Sequence, residues 1–346
     1  MGRGADVDPA NRFGGRAVER DPGEAEPTDV RQATRVHADA SRSILTRNTS
    51  PDVGFSVSLN PYRGCEHGCV YCYARPTHEY LGLSAGLDFE REIFVKRDAA
   101  ALLRQALAAP SWVPEPIALS GVTDPYQPLE RRERVTRACL EVLADHRQPV
   151  SLISKNHLVT RDLDVLSELA RHDAVAVTIS ITTLDDTLRA SMEPRTSSPA
   201  RRLAAIRALS EAGVSVGVNV APVIPGLTDA EIPAILEAAA DAGARFAGTV
   251  VLRLPYAVEE VFRSWLETLD PARARRVLAR VRELRGGRLN DAEFGSRMRG
   301  TGTYADQIRS LYRLAVRRHG LEQRPTLSGE AFRVPGRSVQ PRLFDG

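Results

Sequence analysis

Six short apolar runs punctuate the chain, at residues 55–59, 117–122, 150–153, 174–181, 214–221 and 246–254. Stretches with helical apolar spacing separate them, which predicts βα units around a parallel sheet. In one such stretch Ser198 precedes Pro199 as N-cap and first helical residue. Leu203, Ile206 and Leu209 share its face, and Gly213 marks its stop. Thr228-Asp-Ala-Glu231 reads as a capping box for the next helix, with Gly243 as its stop. Residues 133–146 carry Val135, Leu140 and Leu143 on one stripe and take in Cys139 as a small buried apolar residue. Six units are two short of a closed eight-stranded barrel. In such sheets function collects at the carboxyl ends of the strands.

The flanks read differently. Residues 1–45 are rich in Arg, Asp, Glu, Gly and Pro without apolar periodicity, and are expected to be disordered. Residues 46–290 form the expected α/β domain, and 291–346 a C-terminal helical extension and tail. Within that extension, 294–300 and a helix near 304–318 are expected to cap the open side of the sheet. Residues 272–288 hold seven arginines and one glutamate, with Val277, Leu278, Val281 and Leu284 on one stripe. That pattern fits an amphipathic helix with a solvated basic side; a nucleic-acid face is the alternative.

Composition narrows the class. The 346 residues are 42% hydrophobic, enough for one sizeable domain. No run of apolar residues is long enough to span a bilayer. The start, Met-Gly-Arg-Gly-Ala-Asp-Val-Asp-Pro, lacks the apolar core of a signal peptide, so a cytoplasmic protein without membrane partners is expected. Forty-seven basic and 44 acidic side chains give a net charge of +3, too balanced to point to nucleic acid. Only Lys96 and Lys155 are lysines. Lys155 ends an apolar run, where a compact ammonium can meet a carboxylate.

Chemistry concentrates in Asn60-Pro-Tyr-Arg-Gly-Cys65-Glu-His-Gly-Cys69-Val-Tyr71-Cys72-Tyr. Three of the four cysteines fall here, spaced Cys-x3-Cys-x2-Cys, just after the first apolar run. Thiolates are the soft anionic ligands that iron–sulfur clusters and zinc favour. Gly64 and Gly68 let the backbone turn tightly against an inorganic core. Three thiolates fill three corners of a cubane and leave one iron open to a small chelating molecule. A structural zinc site needs a fourth ligand, which only His67, His78 or Cys139 can supply. Disulfides leave an odd thiol in a chain that does not look secreted.

Cys65-x3-Cys69-x2-Cys72, with an aromatic before the last cysteine, resembles the signature of radical S-adenosylmethionine (SAM) enzymes. The text from Cys65 through Gly82, followed by Gly86-Leu-Asp-Phe-Glu, is similar to the spore photoproduct lyase-like branch, also labelled "DNA repair photolyase". The resemblance implies a partial (β/α)6 barrel, a [4Fe–4S] cluster on Cys65, Cys69 and Cys72, and SAM chelated to the free iron. It implies reductive cleavage of SAM to a 5′-deoxyadenosyl radical that takes hydrogen from an unidentified substrate. It also implies a low-potential electron donor such as ferredoxin or flavodoxin. The competing class is a non-catalytic iron–sulfur or zinc protein, with or without nucleic acid as a partner.

Polar residues at the strand ends carry the rest. Tyr71 offers a flat ring for a bound base. Thr123 and Asp124, in Ser120-Gly-Val-Thr-Asp-Pro-Tyr126, can take the ammonium of SAM; an ordinary Asp–Pro turn is the alternative. Ser154 and Lys155 end the third strand, and by resemblance Lys155 meets the methionine carboxylate. Ser180 and Thr182 lie on the fourth, where the family places a ribose or carboxylate contact and a buried, backbone-bonded serine is the other reading. Glu193 and Arg195 follow it, able to bind ribose hydroxyls and a carboxylate or to form a surface salt bridge. Asn219 sits on the fifth strand, before Pro222-Val-Ile-Pro225-Gly226, a loop the family lays against adenine. His78 and Glu79 face either substrate or solvent. The lyases carry a hydrogen-donating cysteine where this chain has Gly121, and Tyr126 is the nearest rim residue to replace it.

Overall fold

The computed structural model describes residues 4–14 and 33–336. Its strands are β1 (Arg35–Ala38), β2 (Leu45–Arg47), β3 (Val57–Leu59), β4 (Tyr62–Arg63), β5 (Glu92–Val95), β6 (Ile117–Leu119), β7 (Val150–Ser154), β8 (Val175–Ser180), β9 (Ser215–Val223) and β10 (Phe246–Val251). Seven form one sheet in the order β10-β9-β8-β7-β6-β3-β2. Its six inner pairings are parallel except β2, which runs antiparallel on β3. Parallel neighbours in chain order require a crossover each time, and helices supply it. Thus the six apolar runs are the six parallel strands of a partial barrel. Such strands are covered on both faces, which is why β8 reads Val-Ala-Val-Thr-Ile-Ser rather than alternating.

Local signals set most boundaries. Ser198 accepts from the Arg201 N–H and caps the helix Pro199–Glu211, and Gly213 and Gly243 end their helices at φ 76° and 99°. The expected box at Thr228 does not form. Its hydroxyl accepts from the Ile224 N–H, while Glu231 reaches back to Thr183 and the Leu184 N–H. A 3-10 turn, Asp229–Glu231, then leads into the helix Ile232–Asp241. β6 stops three residues short of the expected end because Ser120 turns the chain at φ 93°.

The N-terminal flank corrects the expectation of disorder. β1 lies parallel on β5 in a small second sheet, β1-β5-β4, and Ile44 enters the main core. Further back, Ala5 is buried, and the N–H groups of Gly4 and Ala5 donate to Glu90 at 2.9 and 2.8 Å. Asn11 donates to the carbonyls of Glu79 and Leu83, and Arg12 pairs with Glu79. Polar composition masked this packing, since the arm docks through backbone amides and ion pairs rather than an apolar stripe. The rest of the expected disordered segment, 1–3 and 15–32, lies outside the described residues.

The C-terminal extension closes the barrel from two directions. Residues 295–297 meet the loop after β2: the Gly295 N–H and Arg297 both donate to Asp52, and Arg297 Nη2 donates to Ser50 Oγ at 2.7 Å. This clasp joins the two edges of the sheet. The helix Gly302–Arg318 packs on Ile232–Asp241, and the chain then crosses the amino ends of the strands. There the Ser328 N–H donates to the Asp173 carbonyl and the Arg333 N–H to that of His146. Among the described residues no helix is long and apolar enough to cross a membrane.

Deleting residues 1–14 removes two hydrogen bonds to a buried carboxylate and the Arg12–Glu79 pair. The expected cost is about 3 kcal/mol, read as a Tm loss of roughly 4 °C in thermal unfolding. An unchanged Tm would show that the arm adds nothing to the fold.

Candidate active site

The cysteine loop opens at the carboxyl ends of the parallel strands. Cys65 and Cys69 are buried and Cys72 half-buried, all three as free thiols. Burial pushes each thiol above its usual range; for Cys65, Asp124 and the other two cysteines push further. Three thiols that resist ionisation in isolation, held on one loop, suit a strongly cationic group that draws them out as thiolates. Among the described residues no three His, Cys, Asp or Glu side chains converge as a single ion requires. A cubane gives each thiolate its own iron and does not ask for that convergence.

Arg75 sets the shape of the loop. Fully buried, it donates from Nε to the Cys69 carbonyl (2.9 Å) and from Nη1 to those of Ala85 (3.2 Å) and Gly86 (2.9 Å). Nη2 donates to the Gly68 carbonyl (3.2 Å) and to Glu90 Oε1 (2.5 Å). Gly68 has φ +67°, and a Cβ there would meet Glu90 Oε2 at 2.9 Å, so both backbone and space call for glycine. Glu66 and His67 fix the loop from within. Glu66 pairs with Arg195 Nη1 at 3.1 Å, and the buried His67 lies 3.4 Å from Asp124 and 3.3 Å from Asn156 Nδ2.

Asp124 binds protein donors throughout. Its carboxylate accepts from the N–H groups of Tyr126 (2.9 Å) and Lys155 (2.7 Å) and from Ser154 Oγ (2.9 Å). Expected to meet an ammonium group, it instead ties the end of β6 to the end of β7. Thr123 donates to the Tyr62 carbonyl at 3.1 Å.

Beside the loop lies a buried charged floor. Glu193 accepts from Tyr71 OH, from Thr182 Oγ1 (2.7 Å) and from Arg202 Nη2, with Lys155 Nζ 3.3 Å away. Burial alone would raise the Glu193 carboxyl; Arg202 and Lys155 outweigh it and hold it well below the usual carboxylate range. Lys155 Nζ also donates to Thr182 Oγ1 (3.2 Å) and the Ala221 carbonyl (2.9 Å), and sits 5.5 Å from the centre of the Tyr71 ring. Arg202 is satisfied by Glu193, Thr196 Oγ1 and the carbonyls of Ser197 and Ser180. Ser180 is buried and stands level with Asn219, which stands level with Gly248, in one row across β8, β9 and β10.

The structure therefore draws Tyr71, Lys155, Thr182 and Glu193 together beside the cysteines, while Arg195 joins through Glu66. Ser180 lies two residues before Thr182 with its carbonyl on Arg202, and Asn219 stands beside it on the next strand, β9. His78 and Glu79 do not face a substrate: His78 is buried against Phe89 with Nε2 2.9 Å from the Glu92 carbonyl, and Glu79 is buried against Arg12. Tyr126 is no rim residue, being buried with its hydroxyl on Asp162. Tyr73, which sequence reasoning passed over, donates to the Gly121 carbonyl at 2.8 Å. Arg75 and Arg202 were also missed; their only signal is burial, which a chain rich in arginine does not reveal.

The family model of the radical SAM superfamily matches residues 59–239. An uncharacterised protein of Mycobacterium tuberculosis is 39% identical over 232 residues, 66% of this chain and 67% of that protein. One of Methanocaldococcus jannaschii is 28% identical over 178 residues, 51% of this chain and 64% of its own. Among solved structures, spore photoproduct lyase complexed with dinucleoside spore photoproduct superposes with TM-score 0.58 at 16% identity, over 82% of this chain and 79% of that one. A variant of it with bound AdoMet and the same dinucleoside gives 0.55 at 17%, over 82% and 78%.

Glu193→Gln should lower stability by about 3–5 kcal/mol, because Arg202 and Lys155 lose their buried partner. The folded carboxyl titrates below its unfolded value of about 4.3, so its contribution is complete above that pH and fades as pH falls toward the folded value. Urea midpoints of the two proteins should thus differ most near neutrality and converge in acid. A constant gap would refute this origin.

Proposed function

Because the chain belongs to the radical SAM superfamily, we propose that Cys65, Cys69 and Cys72 hold a [4Fe–4S] cluster and that the charged floor beside them receives SAM. The observation that carries this is the placement of three free thiols, two buried and one half-buried, next to Lys155, Thr182, Glu193 and Tyr71 at the strand ends. Members of the family use this cluster with SAM; together they supply a 5′-deoxyadenosyl radical that takes a hydrogen atom from a substrate. The chain's own residues bind and orient. Arg75 and the glycine turns keep the thiols on one face of the loop. Lys155 exchanges one of its internal acceptors for the methionine carboxylate, while Glu193, held ionised by Arg202, keeps that ammonium in place. Ser180 and Asn219 line the route for the ribose. A reductant such as ferredoxin or flavodoxin delivers the electron. The competing reading, a non-catalytic nucleic-acid-bound protein, rests on the outer arginines of the helix Pro271–Leu284. Its Val277, Leu278, Val281 and Leu284 are buried, leaving the arginines as the solvated side of an amphipathic helix.

Anaerobically reconstituted protein should carry about four irons and, once reduced, convert SAM to 5′-deoxyadenosine. Alanine at Cys65, Cys69 or Cys72 should remove most of the iron, whereas Cys139→Ala should not. Lys155→Ala should keep the iron and weaken SAM roughly ten- to a hundredfold, the loss of one charge-assisted bond of about 1.5–3 kcal/mol. Stoichiometric zinc without sulfide would end the proposal.

Repair of thymine photoproducts, by contrast, is not expected. At Gly121 a Cβ would already meet Ser58 Cβ at 3.2 Å and Phe55 Cζ at 3.6 Å, and no thiol is present. Cys139 is enclosed in the core, where burial pushes its thiol up to about 12. Oligonucleotide containing spore photoproduct, incubated with reduced enzyme and SAM, should stay unrepaired. Clean reversion to thymines that survives Cys139→Ala would contradict this.

A further inference from the structure

Just past β10 stands a guanidinium that the protein itself does not answer. Arg253 lies between Leu252 and Leu254, both buried. Its Nε is buried without a hydrogen-bond partner. Among the described residues its side chain donates only from Nη1 to the Met298 thioether at 3.7 Å, a weak acceptor. Two carboxylates are near enough to act on its charge, but both are engaged elsewhere. Asp52 is held by Arg297 and the Gly295 N–H, and Asp291 by Ser296 and the Glu293 N–H. The neighbouring Arg285 shows the contrast, with Nη1 on the Ser296 carbonyl (3.1 Å) and Nη2 on that of Leu252 (2.6 Å). Arg297 has a carboxylate and Arg285 has carbonyls, which leaves Arg253 as the guanidinium of the three without an oxygen acceptor among the described residues. An unpaired, partly desolvated cation is costly, and proteins rarely keep one without a partner.

Its position gives the cost a purpose. Arg253 follows the carboxyl end of β10, in the same sheet and on the same rim as the cysteine loop after β3 and the Thr123–Asp124 turn after β6. Through Met298, the residue after Arg297, its side chain stands next to the Asp52–Arg297 clasp at the open edge of that rim. We infer that Arg253 seats an anionic group, carboxylate or phosphoryl, of the molecule on which the site acts. Two N–H groups on one edge of a guanidinium match two oxygens of one anion, and the unpartnered Nε–H is half of that fork. This deepens the radical SAM proposal and rests on it.

Phenylglyoxal modification of the cluster-loaded protein, followed residue by residue by peptide mass spectrometry, tests the seat with inorganic phosphate and acetate as separate probes. With SAM already bound, saturating anion should slow modification of Arg253 on the order of tenfold while leaving the ion-paired Arg297 unaffected. Stronger protection by phosphate assigns a phosphoryl group, and by acetate a carboxylate. The same anion should raise the Tm of the wild-type protein but not that of R253Q; if R253Q does not fold, R253K, which keeps the charge and loses the fork, should show a smaller rise. Equal modification with and without either anion would overturn the inference. So would full protection by SAM alone, which would give Arg253 to the cofactor's own carboxylate. Protein that gains no cluster or SAM yet shows the protection would sink the function proposed above while leaving the anion seat standing.

Discussion

Five N–H groups of the Arg75 guanidinium are matched to four backbone carbonyls and one carboxylate, all inside the protein. A rigid planar donor set of this kind fixes the middle of the cysteine loop, at Gly68 and Cys69, relative to the segment at 85–90, which no lysine could reproduce. The carboxylate it holds, Glu90, also receives the two amides of the N-terminal arm. One buried cation thus couples the loop that carries the thiols, the helix Leu87–Arg91 behind it and the first residues of the chain. A Gly4 Cβ would approach the Gly68 carbonyl to 1.6 Å, so the arm lies directly on the turn between the first two cysteines.

The strand ends obey a second electrostatic constraint. Glu193 is enclosed, and a carboxylate there persists only because Arg202 beneath and Lys155 above are both bonded to it. Glu193 and Arg202 both belong to the β8–β9 crossover and Lys155 follows β7, so the floor exists only when those two units are packed together. The arrangement is asymmetric: Arg202 is sealed in by carbonyls, whereas Lys155 retains some exposure and is the partner able to move. A rigid pair below and an adjustable ammonium above is a suitable bed for an anionic ligand.

Much of this was legible in the sequence, for reasons that differ by feature. The six strands were visible because parallel strands are apolar along their whole length, and Ser198, Gly213 and Gly243 announced helix ends through purely local chemistry. The Cys-x3-Cys-x2-Cys spacing needs no tertiary context. Lys155 and Glu193 could be placed on the rim, but not opposite one another, since their pairing depends on how far successive strands are staggered. Thr228 misled because its hydroxyl had a competing amide at Ile224, four residues earlier. Arg75, Arg202 and Arg253 were silent: an arginine's partners are set by three-dimensional neighbours, and nothing in a linear string separates a sealed guanidinium from a solvated one.

The clasp of Ser50 and Asp52 on residues 295–297 joins positions 243 to 247 apart in the chain. During synthesis from the N-terminus, β2 through β10 can dock in order while this contact waits for the last sixth of the protein. The rim of the site is therefore the latest part to acquire its shape, and a ribosome-bound chain passes through a stage with strands paired and mouth still open. Contacts of such long separation form slowly because the loop they close is nearly the whole domain. The cysteine loop is thus most open to its surroundings in that interval, before the last contact closes the rim.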